Sequence, residues 1–192
     1  MIKFAILVRH GESVSNTMNI VSRDIDKYPL TEKGRNQVKF TGNELKKIKL
    51  EKIVTSPVLR AKETAEIISK IIDIPFKIDE RLIEIGFGKF NNGPFQITPK
   101  FTYESKEMET WENIEKRMLA CINDYSGNVL FVSHAFTIRV LISHFLSLDE
   151  NESFGISISN ASISVLDVQN KRVLAIGSPV ITEKLEKKIG KS

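Results

Sequence analysis

Apolar residues along the chain alternate between short unbroken runs and longer stretches at helical spacing. Ile2 to Val8 is apolar except for Lys3, which predicts a strand covered on both faces. After "YPLTEKG", Thr31 is placed to cap a helix running to about Lys47, with Val38, Leu45 and Ile48 on its apolar side. Gly34 and Gly42 weaken that helix intrinsically, so its formation must rest on packing. Ile53 to Thr55 is a second, short strand. Ser56 and Pro57 then read as the cap and first residue of a helix that continues through Ala61, Ala65 and Ile68.

A third short strand is predicted at 76–79, and a helix carries Trp111, Ile114, Met118 and Ile122 on one side as a core stripe. "NVLFVSH", Asn128 to His134, is another apolar run, followed by a helix from about Phe136 to Leu146. "ASISVLDV" and "KRVLAIG", separated by "QNK", predict a β-hairpin near the far edge of the sheet. Strands alternating with helices give an α/β class: a three-layer α/β/α sandwich around a mostly parallel sheet. Residues 86–107 interrupt it with Gly, Pro, Asn and aromatics, an inserted loop too long to be an ordinary connector. The expected organisation is one domain over 1–180, with 86–107 as a loop or lid, and a basic tail over 181–192 that reads as a frayed helix.

Composition narrows this little. Of 192 residues, 41% are hydrophobic and 27% charged, which is ordinary for a globular chain. No apolar run approaches the roughly 20 residues that span a bilayer, and no small-residue cleavage site follows the first strand. The formal charge of +4 comes mostly from lysines interspersed with glutamates, as on solvated faces. Neither a membrane nor a nucleic-acid partner is expected, while a homodimer is left open. The single cysteine, Cys121, reads as a core helix residue and suits a reducing, cytoplasmic location.

Candidate chemistry gathers at strand ends. In α/β sheets ligands bind outside the carboxyl ends of the strands. Arg9 and His10 stand at one such end, His134 at another, and Arg60 opens the helix after a third. Gly11 permits close backbone approach, and the amides that begin at Ala135 face an incoming anion. Arginine matches phosphate oxygens with a planar fork, and imidazole is a nucleophile or acid–base group near neutrality. The set suits phosphoryl chemistry on a histidine. Taken one residue at a time, the alternative of structural histidine caps and a surface Arg9 stays open.

Together "LVRHGES" with Asn16, "TSPVLRAKETAE", Glu84 in "RLIEIGFGKF", and "FVSHAFTIRVLISHFL" resemble the histidine phosphatase superfamily, the phosphoglycerate-mutase-like fold, from residue 4 to about 168. The resemblance implies that His10 is the nucleophile that becomes phosphohistidine. It implies that Arg9, Arg60 and His134 complete the phosphate pocket, with Asn16 and the Ala135 amide as further donors. Glu84 is then the proton donor to the leaving alcohol and the later base for water, and no metal or cofactor is required. His144 matches no family position and reads as a packed or half-exposed helix residue; Arg139 and Asn160 read as supports of the structure. The chain departs from the family at "GKFNNG", with Phe90 where tryptophan is usual and Asn92 where glutamate is usual.

The favoured activity is metal-independent hydrolysis of a small phosphomonoester. The alternative is a 2,3-bisphosphoglycerate-dependent phosphoglycerate mutase, which in this family carries a longer basic insertion. Here the segment after Glu84 is short, with only Lys89, Lys100 and Lys106 scattered through it. A non-catalytic module on the same fold is the third reading. Phe87, Phe90, Phe95, Phe101 and Tyr103 read either as an apolar lid over the pocket or as a satellite core.

Overall fold

A computed structural model describes residues 1–191 of the chain. The elements run β1 (Ile2–Arg9), α1 (Val14–Thr17), α2 (Glu32–Leu45), β2 (Lys52–Thr55), α3 (Leu59–Ile72), β3 (Phe76–Ile78), α4 (Trp111–Asn123), β4 (Gly127–Ser133), α5 (Ala135–Leu146), α6 (Glu150–Ser153), β5 (Ile163–Asp167), β6 (Arg172–Ser178) and α7 (Glu183–Ile189). They build one six-stranded sheet in the order β3-β2-β4-β1-β5-β6. The β3/β2, β2/β4 and β4/β1 pairs are parallel, while β5 and β6 form the antiparallel hairpin at the far edge.

Strand periodicity divides the core into two layers. Successive side chains of β1 point to opposite faces. Ala5 and Leu7 therefore pack with Trp111, Ile114 and Met118 of α4 and Ile138 and Leu141 of α5. Phe4, Ile6 and Val8 pack on the other face with Val38 and Leu45 of α2, Ala61, Ala65 and Ile68 of α3, and α7. The sandwich expected from the sequence is the fold observed. Cys121 is fully buried in α4.

Two parts of the sequence reading differ from the structure, each for a physical reason. Helix α3 begins at Leu59 with Val58 as its cap, not at Pro57 after a Ser56 cap. The Ser56 hydroxyl lies 2.8 Å from His134 Nε2 and accepts the Val58 amide at 3.3 Å, closing a local turn ahead of the helix instead of capping it from Pro57. Helix α2 ends at Leu45, with Thr31 accepting the Gly34 amide as expected. Its Gly34 is needed for close approach: a Cβ there would lie 1.9 Å from the Glu12 carbonyl oxygen, and one on Gly11 would lie 2.6 Å from the Gly34 carbonyl. Finally, α7 is docked rather than frayed. Leu185 and Ile189 are buried, and the Lys49 amide donates to the Gly190 carbonyl at 2.9 Å.

The 86–107 insertion has no regular element longer than single 3₁₀ turns, at Gly88–Phe90, Phe95–Ile97 and Thr102–Glu104. Thr102 anchors it: its amide and hydroxyl donate to the two oxygens of the buried Glu150 carboxylate, at 2.6 and 2.8 Å. Among the described residues no helix is long and apolar enough to cross a membrane.

Candidate active site

Parallel pairing of β1 with β4 sets Arg9 opposite Ser133, so the residue after each strand arrives at the same end of the sheet. Those residues are His10 and His134, whose rings meet edge to face with centroids 5.2 Å apart. Both are buried, as is Arg60, which enters from the first turn of α3 on the neighbouring strand β2. Close pairing of central strands thus brings three distant sequence segments into contact.

Hydrogen bonding fixes the chemistry of His10. Its Nδ1 lies 2.7 Å from the Gly11 carbonyl, which can only accept, so Nδ1 carries the proton. The other nitrogen, Nε2, is unprotonated and uses its single lone pair to accept from Arg60 Nε at 3.1 Å. Burial, reinforced by Arg60 and Arg9, holds the imidazole pKa well below its ordinary value. His10 is therefore held as the neutral imidazole. Its backbone is held too: the amide donates to the Ser133 carbonyl at 3.0 Å, and Asn160 Nδ2 donates to its carbonyl at 3.2 Å.

His134 has the complementary arrangement. Arg60 Nη2 lies 3.2 Å from Nδ1, making that nitrogen an acceptor and leaving Nε2–H for the Ser56 hydroxyl. Burial, followed by the charge of Arg60, lowers its pKa as well. The guanidinium of Arg60 is further tied by Nη2 to the Ser22 carbonyl at 2.8 Å, and Arg9 Nη1 donates to the Ile158 carbonyl at 2.7 Å. Arg60 Nη1 and Arg9 Nε are buried donors with no acceptor among the described residues. Orphaned cationic donors around a histidine lone pair form an environment that an anion completes.

Two polar donors extend it. Asn16 Oδ1 accepts from the Ser13 amide and hydroxyl, both at 3.0 Å, and from Asn160 at 3.2 Å. Its amide nitrogen is thereby left for the pocket that Asn16 lines. Helix α5 starts at Ala135 without a side-chain cap, so its first amides face the same cavity.

Glu84 closes the set from a different element. It is buried; its Oε1 accepts the Ile85 amide at 3.0 Å, and its Oε2 lies 3.7 Å from His134 Nδ1. Burial raises its pKa against the opposing pull of Arg60 and Arg9, so a proton is retained above the usual carboxylate range. Its backbone is clamped by Arg117, which donates to the carbonyls of Arg81 and Ile83 and pairs with Glu109 at 2.6 Å.

Every residue singled out from the sequence, Arg9, His10, Asn16, Arg60, Glu84, His134 and Ala135, meets at this one site. The cavity has a volume of about 520 Å³. His144 stands apart, half-exposed and 2.8 Å from Glu115. Arg139, read as a fold support, instead lines the cavity one turn beyond Ala135; that i, i+4 spacing was the available signal. Ser22, whose carbonyl holds Arg60, carried no signal. Loop aromatics divide between the two readings: Phe87 joins the buried core, while Phe95 is 68% exposed at the cavity mouth. The departure at Asn92 also has a cause. Asn91 and Asn92 both donate to the Asp24 carboxylate, at 2.7 and 2.9 Å, where a glutamate would set like charges together.

Among the described residues no group of three or more His, Cys, Asp or Glu side chains could hold a metal ion. Residues 5–176 match the model of the histidine phosphatase superfamily (branch 1). A 2,3-bisphosphoglycerate-dependent phosphoglycerate mutase of Thermoplasma acidophilum is 41% identical, covering 96% of this chain and 97% of the relative. Among solved structures, the α-ribazole phosphatase of Shigella flexneri superposes with a TM-score of 0.79 at 21% identity, covering 93% of this chain and 98% of that one. A mycobacterial glucosyl-3-phosphoglycerate phosphatase does so with a TM-score of 0.77 at 19% identity, covering 92% and 99%.

Proposed function

The chain belongs to the histidine phosphatase superfamily, and on that premise we propose that it hydrolyses small phosphomonoesters through a phosphohistidine on His10, without a metal ion. The observation that carries this reading is the neutral His10, with its Nε2 lone pair held by Arg60, beside a carboxyl whose pKa is raised. In the first step Arg60 Nε turns from His10 Nε2 to a phosphate oxygen, the freed Nε2 lone pair attacks phosphorus and the ester P–O bond breaks; the proton of Glu84 goes to the leaving alkoxide. In the second step the Glu84 carboxylate takes a proton from water, the water oxygen bonds phosphorus, and the P–N bond returns its electrons to His10. Arg9, Arg60, the Asn16 amide and the Ala135 N–H face the equatorial oxygens, where charge concentrates. A reducing, cytoplasmic setting fits the buried free thiol of Cys121.

Hydrolysis requires that water reach the phosphoenzyme. Phe95, Gln96 and Lys100 at the cavity mouth are all exposed, which favours a phosphatase over an enzyme that must keep water out. The mutase reading has its own support, because the Thermoplasma relative matches this chain end to end. A protein named for mutase activity thus lacks the longer insertion expected of one, and insertion length does not separate the two activities. The deciding assay supplies 3-phosphoglycerate with and without its bisphosphate and measures both phosphate and 2-phosphoglycerate. Phosphate release without isomerisation, on more than one ester, is the expected result. Rapid bisphosphate-dependent interconversion with little free phosphate would establish the mutase instead.

A further inference from the structure

Beyond the phosphate-facing groups, the cavity holds two cations that the reaction above does not use. Arg139 projects from α5 one turn past Ala135, about 6 Å further along the helix axis. It is half-buried, yet it makes no hydrogen bond or ion pair to any described residue, and its Nε is a buried donor without an acceptor among them. Its guanidinium carbon rests 4.9 Å from the Phe154 ring centroid and 5.8 Å from that of Phe136. Lys100, from the 86–107 insertion, places Nζ 4.5 Å from the same Phe154 ring and 4.9 Å from that of Phe101. It too has no carboxylate partner among the described residues. Two like charges gathered on one aromatic ring repel each other, and the ring's attraction offsets only part of that cost. Elsewhere the chain pairs its part-buried arginines: Arg81 with Asp79, and Arg117 with Glu109.

We propose that Arg139 and Lys100, seated on Phe154, form a second anion subsite. The preferred substrates are then phosphomonoesters bearing another anionic group, a carboxylate or a second phosphate, roughly one helical turn from the reacting phosphorus. This rests on the phosphomonoester reading for the first anion. Arg139 supplies a planar fork in a partly dry setting and carries most of the selectivity; exposed Lys100 adds a screened contribution. Phe154 holds both cations in place and presents an apolar wall to the carbon chain between the two anions.

The test compares ligands that differ in the second group alone. Calorimetric affinities of His10→Ala protein are measured for 3-phosphoglycerate, propane-1,3-diol bisphosphate and glycerol 3-phosphate, whose distal group is neutral. The two dianchored ligands should bind roughly ten- to a hundredfold tighter than glycerol 3-phosphate. Arg139→Gln in that background should shrink the ratio to within about threefold, and Arg139→Lys should restore part of it. Lys100→Gln, on an exposed loop where it cannot disturb the core, should cut the ratio about two- to fivefold. Selectivity for only one of the two ligands would tell a carboxylate site from a phosphate site. If His10→Ala does not fold, inhibition constants of the same ligands against p-nitrophenyl phosphate turnover give the same ratio in wild type. Equal affinities for charged and neutral ligands, or a ratio that Arg139→Gln leaves intact, would overturn the subsite. Release of phosphate from p-nitrophenyl phosphate by wild type reads the reaction separately. Selective binding without release overturns the hydrolysis, and release without selectivity overturns the subsite.

Discussion

The floor of the cavity stands on the ends of β1, β2 and β4, whereas its roof is the 86–107 insertion with short 3₁₀ turns. In the floor, register places every group: Arg9 lies opposite Ser133, and His10 and His134 follow as neighbours. Shifting one residue would turn both histidines away from the pocket. In the roof no strand of the sheet sets position; backbone hydrogen bonds of residues 92–95 to residues 19–21, the Asp24 contacts to Asn91 and Asn92, and one buried carboxylate, Glu150, hold it. The proposed phosphate-facing groups thus stand mainly on strand ends and helix starts, while of the proposed second subsite only Lys100 comes from the roof and Arg139 stands on α5.

The largest break in that comparison comes from the floor. His10→Ala should lower turnover by a factor on the order of 10⁴ or more, because it removes the proposed phosphoryl acceptor. Acid quench should labilise a trapped phosphoryl group and alkali should preserve it, as N-linked phosphate requires. Mass spectrometry placing the group on Ser13 or Ser133 would contradict the assignment.

Glu84→Gln comes next, with an expected loss on the order of 10²–10³ for alkyl phosphates and less than about tenfold for an aryl ester whose leaving group scarcely needs a proton. Equal losses on both would leave Glu84 only a shaping role. The pH profile follows from the two opposite shifts. His10 acts when neutral, and its lowered pKa carries the acid limb below the ordinary histidine range. Glu84 acts when protonated, and its raised pKa carries the alkaline limb above the ordinary carboxylate range. Glu84 also has a stability signature. Between its unfolded value, near 4.5, and its raised folded value, the folded state binds the extra proton, so stability is lost as pH rises through that window. Glutamine bears no such penalty. The melting temperature of Glu84→Gln relative to wild type should therefore increase between pH 4.5 and about pH 8, and a constant difference would show that the folded carboxyl is not perturbed.

What could be seen in the sequence divides along the same line. Residues such as His10, Arg60 and His134 were visible because apolar strands end abruptly in polar, chemistry-bearing residues. The alternation of Phe4, Ile6 and Val8 against Ala5 and Leu7 carried the layered fold. The roof was visible only as a composition. Nothing in a single sequence says that Glu150 would hold Thr102, or that Asp24 would hold two asparagines, since those contacts join segments with no periodicity between them. Arg139 lay between the cases: its spacing from Ala135 was readable, but its lack of an acidic partner exists only in three dimensions. The start of α3 differs because the Ser56 hydroxyl closes a turn on the Val58 amide while also meeting His134, and the helix begins only after Val58.

Loosening the roof should give a smaller effect of a different kind. Glu150→Gln removes one of two charge-assisted bonds to Thr102 and should cost about 1–3 kcal/mol of stability, read by denaturant unfolding. Because the floor keeps its groups, KM should rise severalfold while kcat changes little. A fall in kcat at constant KM would instead mean that the roof helps position the reacting groups.

The smallest effect is expected at the third histidine. His144 lies near the end of α5, the helix that His134 caps, but on a half-exposed face where it meets Glu115 across the surface of α4. That contact joins two solvent-accessible groups, so solvent screens it and the pair is worth at most about 1 kcal/mol. Neither partner lines the cavity. His144→Ala should therefore leave kcat/KM within about twofold of wild type and change stability by no more than about 0.5 kcal/mol. The same substitution at His134 removes an imidazole 3.7 Å from Glu84 and within hydrogen-bond reach of Arg60, and should cost orders of magnitude in rate. Two chemically identical histidines, one at the start of α5 on a strand end and one in its last turn against Glu115, thus give the most direct test of whether position at the strand ends makes the site. A comparable rate loss at His144 would show that the catalytic set extends along α5, and would break the division between floor and surface.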